Sequence, residues 1–453
     1  MADTPGIVLD RLAKRLDADR PRVDLMRRYS DGDAPLPEMG ANTRSTWEKF
    51  QKRARTNMGG VACASLGGRM IPLGVTVGGS SNPAATVVWR DNRLGQVFAD
   101  AIWDVLSTGR AYIVGGLRDG EPIITAEKPE HMISDPDPAQ PWRTRAALKA
   151  WRDLEAGKDY ALVWMPGVRQ RFERPYRTLE GATMKVVAGD TWALSGEVEE
   201  YDGPIPVWAI ENRHGKAEFE EHTDTIDRIN LGKLQRLVTT AMQAFKQRAI
   251  KGGLPEKDED GNDIDWARVF EHAPGALWDL PADLDIWESS ETDIRPLLEG
   301  EKTDMRDFAG ELRTPLSAFI PDAENQSAEG AANSKEGEIQ KAKDRIKRAR
   351  GPMEAAIVWA LEVLGEDVTP TVEVLFEPPE HVSFNEKTSA AASAKAAGMS
   401  QRWVNRNIMG MSPEEIEKDI ADRLDEQLQQ SLAFTEAMPQ PAPAPQPTPV
   451  PVE

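Results

Sequence analysis

The chain has 453 residues, enough for two or three domains of ordinary size. Its 55 Lys and Arg stand against 75 Asp and Glu, a net charge of −20, which excludes a general coater of DNA, because such binding rests on cations that displace counterions from phosphates. The single cysteine, Cys63, excludes an internal disulfide and a Cys-cluster metal site, and five histidines leave little for His-based ones.

Hydrophobic residues at 40% support a folded core. The longest apolar stretch, Ala355–Leu364, is interrupted by Glu362 and falls short of the ~18–20 residues of a bilayer span. Charges occupy the N-terminus where a signal peptide has its apolar core. The expectation is a cytosolic, reducing compartment without a membrane, in which the glycosylation-like Asn325-Gln326-Ser327 has no meaning.

Ile7, Leu9, Leu12 and Leu16 are spaced for one helical face, and Arg20-Pro21 predicts a break and restart before Val23, Leu25, Met26 and Tyr29. Residues Thr43–Met70 read as helical in parts, with limits blurred by Gly59-Gly60 and Gly67-Gly68. From Val75 to Trp208, short apolar runs alternate with Gly, Pro and Asp turns, the pattern of antiparallel strands. The runs begin at Thr86, Ala111, Pro122, Ala161, Met184 and Pro206. One helix, Asn92–Ser107, interrupts them, burying Leu94, Val97, Phe98, Ile102, Val105 and Leu106. Ten of thirteen tryptophans lie at or before Trp278, which places the larger core in this half. The fold class predicted is α+β.

Asp224–Ile250 reads as a long amphipathic helix with the stripe Leu234, Leu237, Val238, Ala241, Met242, Phe245 and Ala249, ended by Lys251-Gly252-Gly253. Leu254–Glu301 is the most acidic stretch, with 15 Asp and Glu against Lys257, Arg268 and Arg295. A second helix is predicted over Asp293–Leu312, stopping before Pro315. The segment Pro321–Ser334 is small, polar and rich in Gly and Ala, and predicts a mobile loop. It leads into a helix predicted over Lys335–Leu364, with a kink at Gly351-Pro352. Thr371–Phe376 alternates as a strand, Asn385–Ala397 as an Ala-rich helix, and Ser412-Pro413-Glu414-Glu415 opens a helix through Leu432. From Pro439 to Glu453 proline alternates with small residues, a polyproline-like tail.

Few of these features carry chemistry of their own. The turn from Glu256 to Ala267 resembles half of an EF-hand loop, with Gly261 at its sixth place, but Ala267 stands where a bidentate Glu closes the shell. A solvated hairpin tip accounts for it. There is no Gly-x-Ser-x-Gly elbow, no phosphate-cradling Gly-rich loop and no Cys near a His. A catalytic role is therefore not expected, although carboxylates converging only in the fold leave a metal-dependent DNA-processing enzyme as an alternative. No metal or cofactor is assigned. The local exception to an acidic chain is the run Lys341, Lys343, Arg345, Lys347, Arg348 and Arg350, opposed by Asp344. Lys341, Arg345 and Arg348 share one helical face, either as a solvated flank or as a surface facing phosphates without base specificity.

The order of segments resembles the portal proteins of tailed bacteriophages, in the siphophage branch of Gram-positive and actinobacterial hosts. Four passages carry the resemblance: Arg20–Tyr29 with Asp31-Gly32; Ala99–Val114 with Lys128-Pro129-Glu130 and Asp135; Asn212 leading through Asp224–Asn230 into the long helix; and Thr314-Pro315-Leu316 with the polar loop and long helix after it. The resemblance implies a wing over residues 1–222, a first stem helix over 223–250, a clip over 251–292 and a second stem helix over 293–315. A tunnel loop would span 316–334, a long kinked helix with a strand returning to the wing 335–390, a small crown 391–438, and the Pro-rich tail 439–453.

It further implies a homo-oligomeric ring, usually of twelve copies, at one capsid vertex. Such a ring passes double-stranded DNA inward under the terminase motor and outward at ejection, and catalyses nothing itself. Its implied partners are the terminase large subunit, a head–tail adaptor, and the major capsid and scaffold proteins. Its place is the virion, and the host cytoplasm during assembly. The channel would be lined by Glu324, Asn325, Gln326, Ser327, Glu329, Gly330, Asn333 and Ser334. Partners would meet the clip at Asp258, Asp260 and Asp263, while Lys341, Arg345 and Arg348 would face DNA. A different connector or adaptor ring of the virion is the alternative within that class. The charge agrees in kind, since each phosphate gripped by a cation steepens the log–log salt dependence by about 0.9, and an acidic lumen avoids that grip.

Overall fold

The computed structural model describes residues 4–37, 44–176, 184–187, 191–244, 248–251, 257, 261, 263, 285–288, 292–320, 328–380 and 384–437. Helix α1 (Pro5–Ser30) opens with Pro5 in its first turn and buries Val8, Leu9, Leu12, Leu16, Val23, Met26 and Tyr29. It runs through Pro21 unbroken, against the expected restart, because Leu16, Arg20 and Val23 are all buried around the proline and hold both halves to one core. Ile7 and Leu25, read above as part of the apolar face, are exposed.

Helices α2 (Arg44–Ala54) and α3 (Met58–Gly67) follow, then strand β1 (Pro72–Val77). Helix α4 (Pro83–Asp91) takes up the run at Thr86–Trp89 that alternation assigned to a strand. The Asn82 carboxamide caps it by accepting from the Ala85 amide at 2.9 Å, Pro83 supplies the first turn, and Ala85 and Val88 are its buried side. A well-formed helix start thus overrides β-branched propensity. Helix α5 (Leu94–Thr108) buries Leu94, Phe98, Ile102, Val105 and Leu106, as its spacing predicts.

Strands β2 (Arg110–Arg118), β3 (Glu121–Glu127), β4 (Met132–Pro136), β5 (Thr144–Asp153), β6 (Lys158–Met165), β7 (Val168–Pro175), β8 (Ala193–Glu200) and β9 (Val207–Glu211) complete the N-terminal body. They form two antiparallel sheets, ordered β3-β2-β9 and β4-β5-β6-β7-β8. Met184–Val187 is not a strand. The amides of Val186 and Val187 donate to the two carboxylate oxygens of Asp17 at 2.9 and 2.8 Å, so α1 occupies the donors that a ladder would use.

Beyond the body come helix α6 (Thr223–Ala244), strands β10 (Arg248–Lys251) and β11 (Asp285–Glu288), helix α7 (Arg295–Glu311), the long helix α8 (Ala328–Val363) and strand β12 (Val372–Phe376). Helix α9 (Phe384–Ala396), the short α10 (Gln401–Val404) with a wide turn over Asn405–Met409, and helix α11 (Pro413–Ala437) end the described chain. The architecture is α+β, as the sequence predicts.

Three apolar clusters organise it. Val8, Leu9, Leu12 and Leu16 of α1 lie on Ile133, Leu148, Val163 and Phe172 of the five-stranded sheet. Tyr112, Val114, Trp164 and Val207 join the two sheets. The largest cluster packs α3, α5 and the second half of α8 around β2 and β12. Strand β12 pairs antiparallel with β1, Val77 opposite Val372, about two thirds of the chain apart in sequence. Among the described residues no helix is long and apolar enough to cross a membrane.

Candidate functional site

Helices α6 and α7 form an antiparallel pair. Arg228 meets Asp304 at 2.8 Å, Lys233 and Arg236 meet Glu301 at 3.3 Å, and Gln243 donates to the Thr292 carbonyl at 2.6 Å. The β10–β11 ladder is antiparallel as well, from Arg248 opposite Glu288 to Lys251 opposite Asp285. The helix expected to reach Ile250 therefore ends at Ala244, and Ile250 sits in register with Ile286. A β-branched residue in a paired strand keeps its backbone bonded without continuing the helix. Along α6, Ile226, Ile229 and Leu234 are buried, but Leu237 and Val238 are half-buried and Met242 is exposed.

Asp258 and Asp260 lie outside the described residues. Asp263 bridges back to Lys257, with Gly261 between them at φ +83°, the positive angle that a tight turn asks of glycine. This agrees with a hairpin tip. Among the described residues no group of three or more His, Cys, Asp or Glu is placed to hold a metal ion.

The polar segment after α7 divides in two. Glu324, Asn325, Gln326 and Ser327 lie outside the described residues. Glu329, Gly330, Asn333 and Ser334 belong to the first turns of α8, which begins at Ala328 rather than at Lys335. The helix also continues through Gly351-Pro352, with Met353, Ala356 and Ile357 buried directly after the proline. Packing on one side keeps the helix in register past the missing donor.

The basic run of α8 is matched by carboxylates from several elements. Lys341 and Arg345, both largely buried, converge on Glu218 at 2.7 and 3.1 Å, and Lys341 also donates to the Leu312 carbonyl at 2.5 Å. Arg348 pairs with Asp344 at 3.2 Å, Lys343 with Glu380 at 2.6 Å, and Arg350 with Glu373 at 3.5 Å. Exposed Lys347 makes no ion pair among the described residues. Of the face Lys341, Arg345 and Arg348, the structure therefore turns two members inward and leaves Arg348 at the surface. Burial pushes the Glu218 carboxyl upward, but Lys341 and Arg345 outweigh that and hold it below the usual carboxylate range. One turn earlier, the fully buried Glu338 accepts from Ser65 Oγ and Arg69 Nε, each at 2.5 Å.

Glu218 itself is held by the motif around Gly109. Gly109 ends α5 at φ +94°, and a Cβ there would lie 2.2 Å from the Gly215 carbonyl oxygen. The Asn212 amide donates to the Gly109 carbonyl at 3.0 Å, and the Glu218 amide to that of Leu106 at 2.8 Å. The Asn212 carboxamide nitrogen donates to the Lys216 carbonyl at 2.8 Å. Arg27 is gripped from both sides, by Asp104 at 2.7 Å and Glu130 at 2.8 Å, and Asp135 gathers Arg11, Arg15 and Arg145. Residues read from the first two passages of the resemblance thus meet in space. Glu218 and Glu338 were not singled out in the sequence, because nothing local marks one carboxylate among many as the buried one.

No family model and no curated protein matches the chain. Among solved structures, a chain of the virion of a native gene transfer agent particle aligns with a TM-score of 0.45 at 14% identity, over 86% of this chain and 94% of that one. A chain from the neck of the native particle, computed with C12 symmetry, aligns at 0.44 and 13%, over 85% and 97%. A chain from the neck of the empty particle, computed with C6 symmetry, aligns at 0.47 and 14%, over 86% and 94%.

Proposed function

We propose that this chain is the repeating subunit of a portal-type ring at one vertex of a phage capsid. The ring conducts double-stranded DNA inward during packaging and outward at ejection, and it anchors the head–tail connector. The observation that carries the reading is that α6 and α7, at Arg228–Asp304, and β10 and β11, at Lys251–Asp285, both pair antiparallel. These elements follow an α+β body, flank the acidic stretch in sequence, and are followed by a helix that delivers β12 back to β1. In this reading they are the stem, the two sides of the clip and the return strand. The apolar stripe of α6, half-buried at Leu237 and Val238 and exposed at Met242, suits burial against a neighbouring copy.

In this reading the residues from Glu324 to Ser334 line the narrowest part of the channel. DNA slides past them because Glu324 and Glu329 supply no cation to hold a phosphate. Only groups at the lumen count, since charges further away are screened within ~8 Å in physiological salt. Lys341 and Arg345 serve the subunit's interior, and Arg348 and Lys347 are the members of the basic run left to meet DNA. The clip residues Asp258, Asp260 and Asp263 contact terminase or the head–tail adaptor.

Negative-stain microscopy of the purified chain tests the ring. Closed rings with an axial hole wide enough for a duplex are expected, and a compact monomer under every assembly condition would refute the proposal. The channel is tested by Glu324→Lys with Glu329→Lys, which should leave rings intact and reduce packaged DNA; unchanged packaging overturns that assignment. Charge reversal at Asp258, Asp260 and Asp263 should weaken the terminase or adaptor interaction, and full retention of both removes the clip from the account.

A further inference from the structure

A groove of about 530 Å³ opens between the β4–β5 turn, the segment before β9 and the second half of α8. Three indoles line it. Trp142 stands 75% exposed on the turn, while Trp208 of β9 and Trp359 of α8 pack against each other with centroids 6.2 Å apart. Ile205 and Val358 extend the apolar wall, and Arg143, Arg145, Asp137 and Glu362 add charge to the lining. The wall is built deliberately. The Trp359 ring lies on Gly115 of β2, where a Cβ would come within 2.6 Å of it, so the strand gives up a side chain to seat the indole.

A row of indole faces is the chemistry that takes proline rings. A polyproline II segment is already extended, loses little entropy on binding, and leaves its carbonyls open to donors such as an indole N–H or a guanidinium. Beyond the last described residue, Ala437, the chain has a sequence of that composition. Residues 438–453 hold seven prolines at every second position from Pro439 to Pro451, and no charge before Glu453. Helix α11 starts on β1, where Ile416 is buried, β1 pairs with β12, and β12 packs on α8, so the base of α11 and the groove share one helix. Helix α11, with 25 residues, is about 37 Å long, and the 16 residues after it would span about 50 Å if extended as polyproline II, so the segment is longer than the helix that bears it.

We propose that the groove formed by Trp142, Trp208 and Trp359 binds the chain's own proline-rich segment Pro439–Pro451. The inference stands apart from the portal reading, because it concerns a surface of the body and does not require a ring.

Fluorine NMR of the full chain containing 5-fluorotryptophan tests it, with the Trp142 resonance assigned by Trp142→Phe. The comparison is a full chain carrying Pro441→Ser, Pro443→Ser, Pro445→Ser and Pro447→Ser. The Trp142 resonance is expected to differ between the two chains. A synthetic peptide of residues 439–453, added to the substituted chain, should return it to its original position. An identical Trp142 resonance in both chains overturns the proposal. So does an equal response to a peptide whose prolines are all replaced by serine, or a resonance that moves only when DNA or another protein is added.

Discussion

Lys341 Nζ lies 2.7 Å from one oxygen of Glu218, and Arg345 Nε lies 3.1 Å from the other, so one buried carboxylate ties the long helix α8 to the segment that leads into α6. Glu218→Gln leaves two largely buried cations facing a neutral amide and should cost about 3 kcal/mol at neutral pH. Because Glu218 is held low in the folded state, its stabilisation is complete above its unfolded value of about 4.3 and is lost as pH falls through the lower folded value. Urea denaturation of both proteins should therefore show a gap at pH 7 that narrows below about pH 4. An equal gap at both pH values would mean that the loss arises from packing instead of charge.

Gly109→Ala places a Cβ 2.2 Å from the Gly215 carbonyl oxygen and forces a side chain to φ +94°. The left-handed conformation and the overpacking together should cost about 2–5 kcal/mol. Gly116→Ala on the neighbouring strand is the control, since a Cβ there meets nothing within 4 Å, and it should stay within about 0.5 kcal/mol. Similar denaturation midpoints for the two variants would contradict the requirement at Gly109.

What could be read from the sequence follows from the range of the forces involved. Local signals survive folding. The stripe of α5, the Ser412–Glu415 start of α11 and the alternation of β12 stand where spacing puts them, because caps and amphipathic faces act within one or two turns. Apart from α4, where the local Asn82 cap wins over strand-like alternation, the instructive errors lie where a distant partner decides. Val186 leaves the strand pattern because Asp17, 169 residues away, takes its amide. Ile250 leaves the helix because Ile286 offers it a ladder. The basic run of α8 looks like a surface until Glu218 arrives from 127 residues upstream of Arg345.

Cys63 is fully buried. Burial, reinforced by the Glu218 charge, pushes its thiol well above the ordinary cysteine range, so almost none is thiolate at neutral pH. A thiol reagent should leave the native protein unmodified and react at the rate of unfolding, with full reactivity in urea. Stoichiometric labelling within minutes under native conditions would show that the α3 core opens far more readily than its packing allows.

At the N-terminus of α11, the Ser412 amide donates to Glu415 Oε2 at 2.7 Å and the Glu415 amide donates to Ser412 Oγ at 3.2 Å, a reciprocal cap. It matters more here than on a buried helix. Ile416 is buried, but Leu424 and Leu428 are about 60% and 58% exposed, so packing supports the base of the helix and little of its length. A helix without a packed face depends on its own ends and propensities. Ser412→Ala should cost about 1 kcal/mol and raise hydrogen exchange along the whole of residues 414–428, while Glu415→Gln, which still presents an acceptor, should have a smaller effect. If exchange in Ser412→Ala rises only at the first turn, the outer part of α11 must be held by contacts with something other than its own body.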